Sequence, residues 1–204
     1  MAAEPDGRIA QRNRRLLVLF LVFDLLAFIG IAAAFAATWY PKRLAEVEPG
    51  VLYRCAQPTG RQLRHVINQY GIKTVVIARD GDSERIADEK RAAAEAGIKV
   101  VQLPIVSGAE IDDAEFETFR KTLDDPANRP VLVHCAAGRH RTGLLCAMYR
   151  IRGQGWDVAK ARQEMLSFGF ETQRHKELLD QFDRLTGNAT TQATGGVTGV
   201  PVGR

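Results

Sequence analysis

Short β-branched runs and helically spaced apolar positions take turns along most of this chain, and one long apolar stretch stands ahead of them. That stretch runs from Leu16 to Tyr40 and carries a single charge, Asp24. At about 1.5 Å per residue, Leu16–Ala37 is long enough to cross a hydrocarbon core. Arg8, Arg12, Arg14 and Arg15 form a basic arm over residues 1–15 in front of it. Trp39 and Tyr40 follow, where aromatic rings favour a membrane interface, and then only Lys42 and Arg43. The positive-inside bias therefore predicts a single-pass anchor over 16–40, its amino terminus cytoplasmic and the rest of the chain extracytoplasmic. Ala34-Phe35-Ala36 offers a small-x-small cleavage pattern, so export followed by cleavage is the alternative.

Pro41 stops the first helix, and strand and helix then alternate. Val51–Cys55 reads as a strand. Thr59 caps a helix with Leu63, Val66, Ile67 and Tyr70 on one face, closed by Gly71. Ile72–Ala78 reads as a central strand, Arg79–Asp82 as a turn, and Ser83–Ala96 as an Ala-rich helix closed by Gly97. Ile98–Ile105 is the next strand and Asp113–Leu123 the next helix, with Phe116 and Phe119 on its apolar face. Pro130–Cys135 is a strand that leads, through a short loop, into a helix over Thr142–Arg152. Asp157–Ser167 and Gln173–Leu185 complete the pattern as amphipathic helices. The alternation predicts an α/β domain over 44–186 with a central, mainly parallel sheet flanked by helices. Residues 187–204 carry no period and read as a disordered tail.

A chain of 204 residues suits one domain with appendages. Its net charge is only +4, part of it in the amino-terminal arm, which does not point to nucleic acid. Three cysteines, Cys55, Cys135 and Cys146, are too few for a disulfide scaffold and are spaced for no zinc site. The odd count leaves a free thiol. Sequence alone leaves open whether Cys55 or Cys146 pairs with Cys135.

The chemistry concentrates where the Val131-Leu132-Val133 run ends on His134-Cys135. Cys135-x5-Arg141 closes a loop large enough to wrap one phosphate. In a strand–loop–helix turn of this kind the backbone N–H groups of Ala136, Ala137, Gly138, Arg139, His140 and Arg141 converge on an anion, and the helix N-terminus adds its positive end. The same field lowers the pKa of Cys135 and holds a phosphate beside it. Arg141 supplies a planar fork for two phosphate oxygens. Thr142 is placed to hydrogen-bond the sulfur, and Gly138 allows a positive φ. Cys135 is thus expected to be a phosphoryl-accepting nucleophile, with Arg141 and Thr142 as its catalytic partners and His134 orienting the loop. Arg139 and His140 stand either at the pocket mouth or on a solvated rim. Arg174, His175 and Lys176 read first as a solvated helix face.

This stretch resembles the His-Cys-x5-Arg-[Ser/Thr]-Gly signature of the cysteine-dependent protein tyrosine and dual-specificity phosphatases. With Gly138 and His140 inside the loop it is most similar to their compact atypical members in plants, fungi and bacteria. The resemblance extends from Gly50-Val51-Leu52-Tyr53-Arg54-Cys55-Ala56-Gln57-Pro58 to about Phe182, and Ala147-Met148-Tyr149-Arg150-Ile151 with Gln154-Gly155-Trp156 is similar to bacterial periplasmic members. It implies a dual-specificity phosphatase-like fold, a cysteinyl-phosphate intermediate, no metal or organic cofactor, and a periplasmic catalytic domain. The implied substrates are phosphorylated proteins; phosphorylated metabolites such as inositol phosphates or pyrophosphates are the alternative, and a catalytically weak phosphate-binding module a further one. Arsenate reductases and rhodanese-like enzymes also place a cysteine in an anion loop, but Arg141-Thr142-Gly143 favours phosphatase.

The family also implies an aspartate proton donor on the loop Ile105–Asp113. Where many relatives carry it, this chain has Gly108 or Ala109. Asp112 is the first acid candidate and Glu110 the second, with Asp80 and Asp82 as outside candidates. Asp112-x-x-Glu115 also fits a capping box, which gives Asp112 a purely structural alternative.

Overall fold

The computed structural model describes residues 7–187. The first six residues of the basic arm and residues 188–204, the bulk of the expected tail, lie outside the described residues. Helix α1 (Gly7–Trp39) contains the apolar stretch, and its large side chains, among them Leu19, Phe20, Phe23, Phe28 and Ile31, are exposed. It is one continuous helix long and apolar enough to cross a membrane. At its end the Gln62 amide donates to the carbonyls of Ala37 (2.9 Å) and Tyr40 (3.1 Å), while Tyr40 packs edge-on against His65.

Next come β1 (Ala45–Glu48), β2 (Leu52–Ala56), α2 (Gly60–Tyr70), β3 (Thr74–Ala78), α3 (Glu84–Glu95) and β4 (Lys99–Leu103). After them α4 (Asp113–Asp124) leads through a short 3-10 turn to β5 (Val131–Cys135), α5 (Arg141–Arg152), α6 (Val158–Ser167) and α7 (Lys176–Leu185). The five strands form one sheet in the order β1-β2-β5-β3-β4. Strand β5 lies in the middle, parallel to both neighbours: Ala56 pairs with Cys135 on one side and Ile77 with His134 on the other. Only β1 runs antiparallel, at the edge. The predicted α/β class and mainly parallel sheet are what is found.

Side-chain alternation along β5 divides the core in two. Val131, Val133 and Cys135 face a cluster with Phe119, Leu123, Leu144, Leu145, Met165, Leu178 and Phe182, contributed by α4 to α7. Leu132 faces the other cluster, with Leu63, Val66, Ile67, Ile86, Ala92 and Ala93 from α2 and α3. Both layers are closed by local signals in the sequence. Thr59 and Gln62 form a capping box on α2, Gly71 ends that helix at φ 64°, Ser83 caps α3, and Asp157 caps α6.

Three differences from the sequence reading have simple causes. Strand β1 was not expected: of Ala45-Glu46-Val47-Glu48 only Val47 is buried, so an edge strand shows almost no apolar pattern. Strand β4 stops at Leu103, since Pro104 has no N–H to continue the ladder. Helix α7 starts at Lys176 rather than Gln173, because the carbonyl of Glu171 takes the N–H groups of Arg174 (3.2 Å) and His175 (3.1 Å) in a turn.

Phe182 is fully buried at the centre of the α4–α7 layer. Phe182→Ala is expected to destabilise the protein by about 3–5 kcal/mol, checked by urea unfolding of the detergent-solubilised chain.

Candidate active site

Cys135 ends β5 at the carboxyl edge of the sheet, where open parallel sheets bind ligands. The loop from Ala136 to His140 joins it to α5, whose first residue is Arg141. The loop carbonyls are tied from outside. The Gln57 backbone N–H donates to Ala136 (3.2 Å), the Arg43 guanidinium to Ala137 (3.1 Å) and the Arg54 guanidinium to Gly138 (2.8 Å). In a planar trans peptide the N–H points opposite to the C=O. Holding these carbonyls outward therefore turns the N–H groups of Ala137, Gly138 and Arg139 toward the loop centre. Arg54 is almost fully buried, and its guanidinium lies 3.9 Å over the Phe168 ring. Gly138 sits at φ 66°, and a Cβ there would fall 2.4 Å from the Cys55 carbonyl oxygen. No side chain fits that approach.

The Cys135 sulfur is buried, which by itself opposes a thiolate. Hydrogen bonds from the Thr142 hydroxyl and backbone, the charge of Arg141 and the Gly138 N–H more than offset this, and the net shift is downward. The Thr142 hydroxyl is fully buried beside the sulfur with no oxygen or nitrogen partner among the described residues, and its presence lowers the thiol's pKa. The Arg141 guanidinium donates to the Ile105 carbonyl (2.8 Å), with Asp80 3.8 Å away.

Beneath the loop a buried chain of polar groups fixes His134. Its Nδ1 lies 3.4 Å from the Cys135 carbonyl, and its Nε2 2.8 Å from the Glu89 carboxylate on α3. The Gln57 amide donates to the other Glu89 oxygen (2.6 Å), and Arg79 donates to Gln57. His134 and Glu89 are both essentially without solvent contact.

Above the loop a cavity of about 240 Å³ opens from Cys135 toward solvent. Ser107, Gly108, Arg139, His140, Glu171, Arg174, His175 and Leu178 surround it, with Ala136, Ala137 and Arg141 at its floor. Arg139 and His140 thus stand at the mouth, as does part of the Arg174-His175-Lys176 cluster that reads in sequence as a solvated face. Arg139 pairs with Glu171. Burial first, and then the neighbouring His175, push His140 down to about 4. Neither Asp112 nor Glu110 lines this cavity. Asp112 caps α4, accepting from the Glu115 N–H (2.7 Å) while Glu115 accepts from its own, and Glu110 pairs with Arg184. Asp82 pairs with Lys90 (2.8 Å), which leaves Asp80 as the sequence candidate beside Arg141.

Sequence reasoning missed Arg43, Arg54, Gln57, Glu89 and Glu171. A charge such as Glu89 at a buried position of an otherwise Ala-rich helix face was the available signal for one of them. Arg54 and Gln57 fall in the Gly50–Pro58 stretch that carries the resemblance, but nothing there gives their partners; Arg43 and Glu171 lie far along the chain from the loop and carry no local mark.

A thiol with lowered pKa inside a phosphate-sized ring of N–H groups, closed by an arginine at a helix start, defines the cysteine-dependent phosphatase class. The comparisons with known proteins agree. The sequence profile of the tyrosine phosphatase family matches residues 39–193. The dual specificity protein phosphatase TpbA of Pseudomonas aeruginosa is 36% identical over 149 residues, covering 68% of this chain and 64% of that protein. The chain thus spans somewhat less than two thirds of that relative. The inositol diphosphatase SIW14 of Saccharomyces cerevisiae is 26% identical over 142 residues, 66% of this chain and 49% of that protein. The crystal structure of P. aeruginosa TpbA superposes with a TM-score of 0.55 at 31% identity, covering 71% of this chain and 91% of that one. The Siw14 catalytic core shares the fold at a TM-score of 0.60 and 21% identity, covering 72% and 92%. The chain belongs to the tyrosine phosphatase family.

Glu89→Leu leaves His134 and Gln57 without their buried partner, so a loss of about 3–5 kcal/mol is expected in urea unfolding. Thr142→Val removes the hydroxyl from the sulfur. The pH profile of Cys135 alkylation by iodoacetamide is expected to move up toward the ordinary thiol range. Because the thiolate exists above its pKa, alkylation at neutral pH slows in the variant.

Proposed function

We propose that this protein is a phosphatase that hydrolyses phosphate monoesters through a cysteinyl-phosphate intermediate, with phosphotyrosine or dual-specificity protein substrates. The observation that carries this reading is the geometry: Cys135 at the end of β5, a following loop whose carbonyls are tied outward, and Arg141 at the start of α5, an arrangement in which the thiol's pKa is lowered. The Cys135 thiolate attacks phosphorus, and the P–O bond to the leaving group breaks. The N–H groups of the Ala136–Arg141 loop and the Arg141 guanidinium hold the non-bridging oxygens as charge builds on them. A carboxyl returns a proton to the leaving oxygen. Of the sequence candidates Asp80 lies nearest the loop, its carboxylate 3.8 Å from Arg141, although like Asp112 and Glu110 it does not line the cavity. Water then attacks the phosphocysteine and releases phosphate and the thiolate, and Thr142 stabilises the departing sulfur. His134, fixed by Glu89, keeps the loop in register.

A second reading has a specific observation behind it. The cavity wall contains Ser107 and Gly108 but no carboxyl from the 105–113 loop, and its mouth carries Arg139 and Arg174. A phosphoanhydride leaves as a weakly basic phosphate and needs less help from an acid, and extra arginines suit a polyphosphorylated metabolite. The named activity of the SIW14 relative fits inositol pyrophosphates as that metabolite class.

The catalytic unit in this reading is residues 44–186, held by α1 as a single-pass membrane anchor. The arginines ahead of the span favour a cytoplasmic amino terminus and a periplasmic catalytic domain. Cleavage after the Ala34-Phe35-Ala36 pattern would release the same unit.

The test is single-turnover phosphate release by the detergent-solubilised chain from an activated aryl phosphate, a phosphotyrosine peptide and an inositol pyrophosphate. Release that Cys135→Ser abolishes is the expected result. Faster release from the peptide supports the first reading and faster release from the pyrophosphate the second. No release from the activated aryl ester would overturn both.

A further inference from the structure

A cavity of about 350 Å³ lies where the chain leaves α1 and enters the α/β domain. Its wall contains Tyr40, Pro41, Arg43, Glu46, Tyr53 and Tyr70, so three of the chain's four tyrosines meet there. The rings of Tyr53 and Tyr70 stand 4.8 Å apart at 41°, and the Tyr53 hydroxyl donates to one oxygen of Glu46 (2.9 Å). Glu46 is exposed and Arg43 half-buried. Among the described residues neither takes part in an ion pair. Arg43 is also the one non-glycine residue among them at a positive φ, 57°, a region that few such residues adopt. An unpaired carboxylate, an unpaired guanidinium and three tyrosine rings around one opening match a ligand that carries both charges.

We infer that this cavity takes the headgroup of a zwitterionic lipid, phosphatidylethanolamine foremost, with its ammonium among the tyrosines and Glu46 and its phosphate at Arg43. Aromatic rings attract an ammonium through the negative charge of their faces. A primary ammonium also has three N–H groups to donate, and Glu46 keeps its second oxygen to accept one. Arg43 spends one nitrogen on the Ala137 carbonyl and has others for a phosphate. A choline headgroup donates nothing to Glu46, and a glycerol headgroup brings no cation to the rings. Position sets the source of the headgroup. Tyr40 and Pro41 directly follow α1, whose large apolar side chains are exposed. The Gln62 amide, which takes the Ala37 and Tyr40 carbonyls, holds the end of α1 on α2. With α1 across a bilayer the cavity thus stands at its surface, and the site rests on that reading of α1.

Arg43 links the cavity to the phosphate loop through the Ala137 carbonyl. A lipid phosphate on the same guanidinium fixes it in place, so the bound headgroup braces the loop and speeds phosphate release. This bracing half rests on the phosphatase reading; the binding half does not.

Binding is measured on the full chain carrying Trp156→Phe, which leaves Trp39, at the end of α1, as the fluorescent reporter. The chain is reconstituted in phosphatidylglycerol vesicles, into which brominated phosphatidylethanolamine, phosphatidylcholine or phosphatidylglycerol is titrated. Phosphatidylethanolamine is expected to quench Trp39 at about one-fifth the mole fraction that phosphatidylglycerol needs, with phosphatidylcholine between them. Glu46→Gln and Tyr70→Leu are expected to bring the three lipids together. Thermal melting checks each fold, and if Tyr70→Leu is unfolded the conservative Glu46→Gln decides. A chain that does not float with the vesicles overturns the anchor and the site with it. A chain that floats but shows no preference, or keeps its preference in the folded variants, overturns the site alone. Hydrolysis of an activated aryl phosphate is expected to run at least about twofold faster when the vesicles contain phosphatidylethanolamine, and Glu46→Gln to remove the gain. Equal rates with the lipid preference intact would overturn the bracing half alone.

Discussion

The structure depends on one constraint: the carbonyls of the loop after β5 must face outward. A loop that exposed them to the cavity would repel phosphate and the thiolate alike. Gln57, Arg43 and Arg54 each take one of these carbonyls; Arg54 belongs to β2, Gln57 follows it and Arg43 precedes β1. The price is a buried guanidinium at Arg54, which the Gly138 carbonyl and the face of Phe168 accommodate. The same close approach of β2 to the loop leaves no room for a Cβ at position 138. The anion site is thus made by the neighbouring strand as much as by the loop itself.

Placing β5 at the centre of the sheet makes this possible. With β2 on one side and β3 on the other, each strand delivers a different part of the site at the same edge. Strand β2 leads to Gln57 and β3 to Arg79 and Asp80, while β5 ends on Cys135. The two-residue period of a strand then sends consecutive residues to opposite layers. Cys135 faces the layer of α4 to α7, and His134 turns to Glu89 on α3. One layer carries the Cys135 sulfur and the other the polar support beneath it.

Much of this was legible in the sequence because its signals are local. The Cys-x5-Arg spacing, the β-branched run before it and the Thr59, Ser83 and Asp157 caps each act within a few residues, and each appears in place. Asp112 shows the limit of that reading. Its capping box with Glu115 and a role as proton donor compete for one carboxylate, and the structure shows the cap. Strand β1 was hidden because edge strands need little apolar surface. Arg54 and Glu89 were hidden because their partners, Gly138 and His134, stand 84 and 45 positions away in the chain, and nothing but the fold brings them together.

The same layering bears on the other thiols. Cys55 lies on β2 next to β5, but its side chain joins the α2–α3 layer, opposite to Cys135. Cys146 shares the layer of Cys135, yet it is fully buried, and burial pushes its thiol up to about 11. Burial raises Cys55 well above the ordinary thiol range too. A thiol traps an oxidised cysteine only as a thiolate, and only along a path that lets the sulfurs meet. All three cysteines are free in this structure, and burial disfavours the thiolate at Cys55 and Cys146. The three buried thiols thus differ by their partners: hydrogen bonds and the Arg141 charge lower Cys135, while burial dominates at Cys55 and Cys146 and raises them.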